Sequence, residues 1–437
     1  MADTEVRLAY GDHGLLCSFP SDATTVIEPR FEPAERQPRR LLRDALESPI
    51  DSPRLRQVVT SDSRIAVSIC DITRPQPRRL MIEAILAELE GIAQADQLTL
   101  LVATGTHRAN TDEELLAMLG PDLVEACNVI NHNGRDPGEL RYLGVFGDNV
   151  PVSLNRHWVE SDVRITTGFV EPHFFAGFSG GPKLVAPGLA GLETVLTLHD
   201  ARRIASPNAT WGVCEGNPVH DDIRDIAGET SVDFAFDVIL NRDKAITHAF
   251  AGELLSMHSR AREVCRQVSM RPVDGLFDIV VTTNAGYPLD QNLYQAVKGM
   301  SAAMNIVKPG GTILVAAECR DGLPAHGSYG ELLASAGSIE EVRRSIETSE
   351  RTMPDQWQVQ IQARIQERVR VLVKADGLSD DQIRAAHLEP CHDISRFVKD
   401  ELKRLGPTAR VCILPEGPQT IPYLTDDVAS GNKLPTR

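Results

Sequence analysis

The sequence predicts an α/β protein of two domains with mainly parallel sheets. Short apolar runs of strand type, RIAVSIC (64–70), LTLLVA (98–103), FDIVVTTN (277–284) and GTILVAA (311–317), alternate with helix-type segments. Strands that alternate with helices run parallel. The alternation comes in two blocks, one starting near Arg64 and one near Phe277. A chain of 437 residues is also too long for one ordinary core.

Taken in order, the chain opens with strand-like runs at Val6–Tyr10 and Leu15–Phe19, split by the turn signal GDHG. A Pro- and Arg-rich stretch, 30–56, combines loop with a helix near Arg39–Glu47. The strand 64–70 leads through DITRPQP into an amphipathic helix from about Pro77 to Ile92. The strand 98–103 leads through TGTHR to TDEE, a helix-start signal at Thr111. Val163–Thr167 is the next strand, and a glycine-rich loop follows it. In the second block a helix over Gln291–Val307 joins the first two strands, and helices fill Tyr329–Arg368. The strands VRVLVK (369–374) and ARVCIL (409–414) bracket more helix. The helix-rich segment Met257–Met270 is the expected linker. It divides an N-terminal, cofactor-binding domain over 1–270 from a C-terminal domain over 271–414, with the tail 415–437 a candidate addition to the first.

Composition excludes several function classes. A net charge of −16 and a pI near 5.2 argue against a nucleic-acid partner, which requires a basic footprint. Aromatic residues make up only 5%, too few for base-stacking platforms. The N-terminus carries charges and no apolar core of a signal peptide. No run approaches the roughly 18–20 apolar residues of a membrane span. Eight scattered cysteines without CxxC pairing read as reduced thiols, which points to the cytoplasm.

The polar candidates collect after strands, where open α/β sheets bind ligands. Asp71 and Arg74 follow 64–70, His107 follows 98–103, His173 follows 163–167, and Asn284 with GYPLDQNLYQAVK follows 277–283. Arg74, in DITRP, can fork a carboxylate through two parallel hydrogen bonds, or pair with Asp71 to fix the loop. His107, set between small hydroxyl residues in TGTHR, suits general acid–base work, or is a solvated loop histidine.

The stretch GFVEPHFFAGFSGGPKLVAPG (168–188) places His173 and Lys183 around a glycine run with almost no competing charge. Glycines at Gly180 and Gly181 allow backbone amides to approach a phosphate. A nucleotide-binding P-loop is excluded, because Pro182 stands where the pattern has glycine and Leu184 where it has Ser or Thr. Lys183 can instead be a nucleophile of depressed pKa, or a plain partner for an anion. His199, in LTLHDARR, falls on the polar side of a helix and alone reads as a surface residue. The other histidines, His326 among them, carry no motif and are read as structural or solvent-facing.

Together DITRP (71–75), TGTH (104–107), PHFFAGFSGGPK (172–183), His199 and YQAVK (294–298) resemble the nickel-dependent lactate racemase family, in order and approximate spacing over residues 64 to about 420. The resemblance implies two α/β domains with the active site in the interdomain cleft. It implies a nickel-pincer nucleotide, a nicotinate-derived mononucleotide (pyridinium-3-thioamide-5-thiocarboxylic acid mononucleotide with Ni(II)) held covalently by Lys183, with Asp71, Gly180 and Gly181 as further cofactor or loop contacts. His199 matches the protein's nickel ligand, and His107 and His173 match the two acid/base histidines. Arg74, Gln295 and Lys298, with Tyr294 beside them, match the residues that orient the substrate.

The activity so implied is racemisation or epimerisation at C2 of a 2-hydroxy acid by proton-coupled hydride transfer to the pincer ring, with a histidine on each side of the substrate. The partners implied are the small-molecule substrate and, transiently, the enzymes that make the cofactor, with no nucleic acid or membrane. Two other readings stand beside it. One is a zinc- or iron-dependent hydrolase or lyase with the three histidines as ligands; the other is a non-catalytic protein that binds an anionic metabolite.

Overall fold

A computed structural model describes residues 2–324 and 327–425; His326 and the tail beyond Thr425 lie outside the described residues. The chain divides into two compact units. One comprises Phe31–His199 and Pro207–Val268, the other Met1–Arg30, Asp200–Ser206 and the chain from Ser269 onward.

The first of these units is built on a six-stranded sheet. Its order is Ile246–Gly252, Phe234–Leu240, Val163–Phe169, Ile65–Cys70, Leu98–Ala103 and Asn128–Asn131. Only the pair Phe234–Leu240 with Ile246–Gly252 is antiparallel. Ile65–Cys70 is buried at every position, as a central strand covered on both faces must be. Helices pack their apolar stripes on the sheet, with Met81, Ile82 and Ile85 of Arg78–Glu88 in one core with Val67, Leu100 and Phe236. Thr111 caps the helix Asp112–Leu119, and the Glu114 side chain returns the bond to the Thr111 amide.

From the central strand Ile65–Cys70 the chain first builds outward to Leu98–Ala103 and Asn128–Asn131. It then crosses to lay Val163–Phe169 and Phe234–Leu240 on the other side. The order therefore reverses between Ile65–Cys70 and Val163–Phe169, and the crevice at the carboxyl ends of such neighbours is where open sheets hold ligands.

The other unit has a second six-stranded sheet, all parallel, in the order Glu389–Pro390, Arg370–Lys374, Val307–Ala316, Phe277–Thr283, Val411–Leu414 and Thr24–Val26. The N-terminal thirty residues thus group with the C-terminal unit, not with the first domain as the sequence boundary had them. The reason is pairing at a distance: Thr24–Val26 adds to Val411–Leu414, and the Ala9 amide donates to the Pro415 carbonyl. The described part of the tail, 415–425, also goes this way, since Ile421–Leu424 pairs with Met270–Val273. The crossing between units falls at the end of the helix Leu254–Ser269, within the segment read as a linker. Among the described residues no helix is long and apolar enough to cross a membrane.

Candidate active site

The loop after Ile65–Cys70 is held from below by Arg78, a residue the sequence reading did not single out. Its buried guanidinium donates to the carbonyls of Cys70 (2.7 Å), Gln76 (3.2 Å) and Arg74 (2.7 Å), and also to that of Asp71. Gln76 closes the same loop by accepting from the Cys70 amide at 2.7 Å. Arg74 itself stays at the surface, with its guanidinium 3.2 Å from the Thr73 hydroxyl.

Asp71 is buried and bonds His107 Nδ1 through Oδ2 at 2.7 Å, while Thr73 donates to Oδ1 at 2.6 Å. Burial opposes its charge, but His107, Arg74 and Thr73 together outweigh that and hold the carboxyl at about 2. A carboxylate at this bond fixes Nδ1 of His107 as the protonated nitrogen and leaves Nε2 to exchange protons. The His107 ring is half-exposed, so it can meet a ligand. The Asp–Arg loop pair weighed in the sequence is therefore an Asp–His pair.

Gly168–Gly188 folds back over the carboxyl end of Val163–Phe169. The short strands Pro172–His173 and Gly177–Phe178 pair, and Gly181–Leu184 forms a single turn carrying Lys183. Gly180 and Gly181 have φ of +74° and +49°, in the left-handed region that favours glycine. A Cβ on Gly181 would lie 2.5 Å from the His258 ring, and one on Gly180 would lie 2.6 Å from Asp237 Oδ2. The Gly181 amide donates to Asp237 at 2.7 Å, so it points into the protein and is not offered to a phosphate. These glycines shape the turn beneath Lys183. Burial pushes Asp237 up to about 7 and His258 well below its usual value, and His258 bonds the Ser179 carbonyl at 2.9 Å.

Phe175 gathers the remaining groups. Its ring lies 4.6 Å from that of His173 and 5.1 Å from that of His199, both edge-on, and Lys183 Nζ is 5.8 Å from its centre. A phenylalanine pair inside a glycine loop was the only sequence signal for it. Burial first, and then the charge of Arg74, lower Lys183 to about 7. Among the described residues Lys183 has no ion-pair partner, so a large share of it is a neutral amine near neutral pH.

His199 is not a surface residue. It ends the helix Leu192–Leu198, is 6% exposed, and bonds the Val195 carbonyl through Nδ1 at 2.7 Å. Nδ1 therefore carries the proton, and the lone pair sits on Nε2. Burial, with Lys183 nearby, depresses it to about 4, keeping it neutral as a metal ligand must be. His173 Nδ1 accepts from the Ala176 amide at 3.2 Å, which places its proton on Nε2 when neutral. No cluster of three His, Cys, Asp or Glu side chains is placed to hold a metal among the described residues.

Tyr294, Gln295 and Lys298 belong to the other unit, on the first turns of the helix Leu293–Met304. Lys298 Nζ donates to Gln295 Oε1 at 2.7 Å, and the Asn292 side chain caps the helix by accepting from the Gln295 amide. The Tyr294 hydroxyl accepts from Trp357 Nε1 at 3.1 Å.

Residues 10–212 match the model of the lactate racemase N-terminal domain and residues 274–421 that of the lactate racemase C-terminal domain. The chain belongs to the lactate racemase family. It is 33% identical to lactate racemase of Thermoanaerobacterium thermosaccharolyticum over 87% of this chain and 89% of that one. With lactate racemase of Lactiplantibacillus plantarum the identity is 35% over 85% and 88%. The lactate racemase apoprotein structure from T. thermosaccharolyticum superposes with a TM-score of 0.89 at 30% identity, covering 96% of this chain and all of that one. A Thermotoga maritima protein at 18% identity and a TM-score of 0.63 shares the fold. The enzyme is thus an isomerase of the racemase type, as the motifs in register had implied, and the hydrolase and binding-protein readings fall away.

Proposed function

We propose that the protein inverts C2 of a 2-hydroxy acid, lactate first among candidates, with a nickel-pincer nucleotide bound at Lys183 and His199. The observation that carries this reading is the trio around Phe175: an amine lowered to about 7, a neutral imidazole with its lone pair on Nε2, and a second histidine. These residues fit such a group. Lys183 would hold the group through its amine, and His199 would offer Nε2 as a nitrogen ligand to the nickel. When bound, the group supplies a ring able to accept a hydride.

The chain's own part is binding and proton handling. Arg74 forks the substrate carboxylate, with Gln295, Lys298 and Tyr294 orienting carboxylate and hydroxyl. His107 takes the hydroxyl proton at Nε2, its Nδ1 proton held by Asp71, and His173 does the same from the other side once its ring proton has moved to Nδ1 and the Ala176 amide is released. Which histidine is base and which is acid depends on the enantiomer. The substrate, the cofactor-making enzymes as transient partners, and a cytoplasmic location belong to the same proposal. All eight cysteines are buried and none is in a disulfide, in keeping with that location.

The test follows the hydrogen on C2. The histidines handle the hydroxyl proton and never the C2 hydrogen, so lactate deuterated at C2 is expected to give product that keeps most of its label. Racemisation of unlabelled lactate in deuterated water, with the product weighed, gives the complementary reading. Extensive solvent deuterium at C2 would mean a histidine removes that hydrogen as a proton, and the reading would be lost.

A further inference from the structure

Beneath the site a buried polar network joins the substrate loop to the lysine turn. The Ser68 hydroxyl donates to the Leu184 carbonyl, next to Lys183, at 2.7 Å. The Ser68 carbonyl accepts from the Thr167 hydroxyl at 2.9 Å, and that hydroxyl accepts from Gln76 Nε2 at 2.9 Å. Gln76 Oε1 takes the Cys70 amide, and Arg78 then gathers the carbonyls of Cys70, Asp71, Arg74 and Gln76. Ser68, Gln76, Arg78 and Thr167 are all buried. No carboxylate side chain bonds to the Arg78 guanidinium among the described residues. Its donors are spent on backbone oxygens of one loop, which is a costly way to bury a charge unless the loop's shape matters.

We propose that Arg78 and Gln76 are a positioning pair that sets the Arg74 fork and the Asp71–His107 couple against the Lys183 turn. The loop 71–77 has no regular structure of its own to fix it, and Arg74 and Asp71 lie three residues apart within it. Arg78 fixes the backbone at both, and Gln76 ties that backbone through Thr167 and Ser68 to Leu184. A shift of about 1 Å in such a loop is enough to cost roughly 100-fold in rate. The kinetic consequence rests on the roles given above to Arg74 and His107; the structural one does not.

Arg78→Lys is the informative variant, since it keeps the charge but cannot span four carbonyls. Gln76→Glu is the second: it keeps the shape, and the Thr167 hydroxyl can rotate to donate to it, so it is expected to fold where Arg78→Lys fails. In apoprotein with 15N-labelled histidine, the His107 ring shifts are expected to report the Nδ1–H form in the wild type and a mixture in either variant. In enzyme carrying the cofactor, kcat/KM for the racemised acid is expected to fall about 10–100-fold per loaded molecule, with the pH–rate profile displaced. Lysine does not rescue it, as it would if only the charge mattered. A folded variant with the wild-type His107 tautomer and kcat/KM within twofold of wild type overturns the proposal. So does a loss explained wholly by lower adduct occupancy at Lys183. A wild type that racemises no 2-hydroxy acid would instead overturn the proposed function, and the tautomer measurement would still decide the role of the pair.

Discussion

Lys183→Ala is expected to abolish racemisation and remove any cofactor adduct from the protein, while the fold survives. The side chain stands on a one-turn segment with no ion-pair partner among the described residues, and its burial lowers it to about 7. Removing a partly desolvated amine deletes no core packing, so stability should change by well under about 2 kcal/mol. Intact-mass measurement of protein co-produced with the cofactor-making enzymes reads the adduct, and thermal melting reads the fold. The same position predicts a pH dependence. Only the neutral amine attacks, so adduct formation in vitro should speed up as pH rises through about 7 and level off above it. An adduct at full occupancy in Lys183→Ala would remove the assignment.

His107→Ala and His173→Ala should each stop inversion in both directions, because the proposed mechanism uses each histidine as base for one enantiomer and as acid for the other. General acid–base groups contribute roughly 10²–10⁴-fold, and losses in that range are expected. Nickel content should not change in either variant, since neither ring is assigned to the metal. His199→Ala should do the opposite and lose nickel first. Metal analysis beside initial rates, measured from each enantiomer, separates the two. Nickel falling in step with activity in His107→Ala would make that histidine a ligand and His199 no longer the sole one.

Much of this was legible in the sequence, and the parts that were not share a physical cause. The strands at 64–70, 98–103, 163–167 and 277–283 announced themselves as apolar runs, and the first sheet brings together residues that follow two of them, Asp71 and His107. Phe234–Leu240 and Ile246–Gly252 went unread because Asp237 interrupts one run and His248 the other. Asp237 is accommodated there in part by the Gly181 amide of a distant turn. Arg78 was one arginine among many in RPQPRR, and its role depends on a loop folding back to it. His199 looked solvent-facing on a helical wheel, yet the helix ends at Leu198 and the ring turns inward. In each case the deciding contact forms only once the chain has turned back on itself, with Gly181 far along the chain for Asp237 and with carbonyls within eight residues for Arg78 and His199, and no local pattern carries it.

The grouping of residues 1–30 with the C-terminal unit sets an order of events during synthesis. Thr24–Val26 leaves the ribosome long before Val411–Leu414, its neighbour in the sheet, has been made. At typical elongation of about 5–20 residues per second, that strand waits roughly 20–80 s for its partner. Phe31–Val268, which holds Lys183 and His199, is complete well before then apart from the excursion at Asp200–Ser206. The half that holds Lys183 can therefore settle first, with Thr24–Val26 waiting as an unpaired edge strand. A chain stopped short of Val411 should keep the first sheet and the N-terminal hairpin and leave Thr24–Val26 without a place to pair.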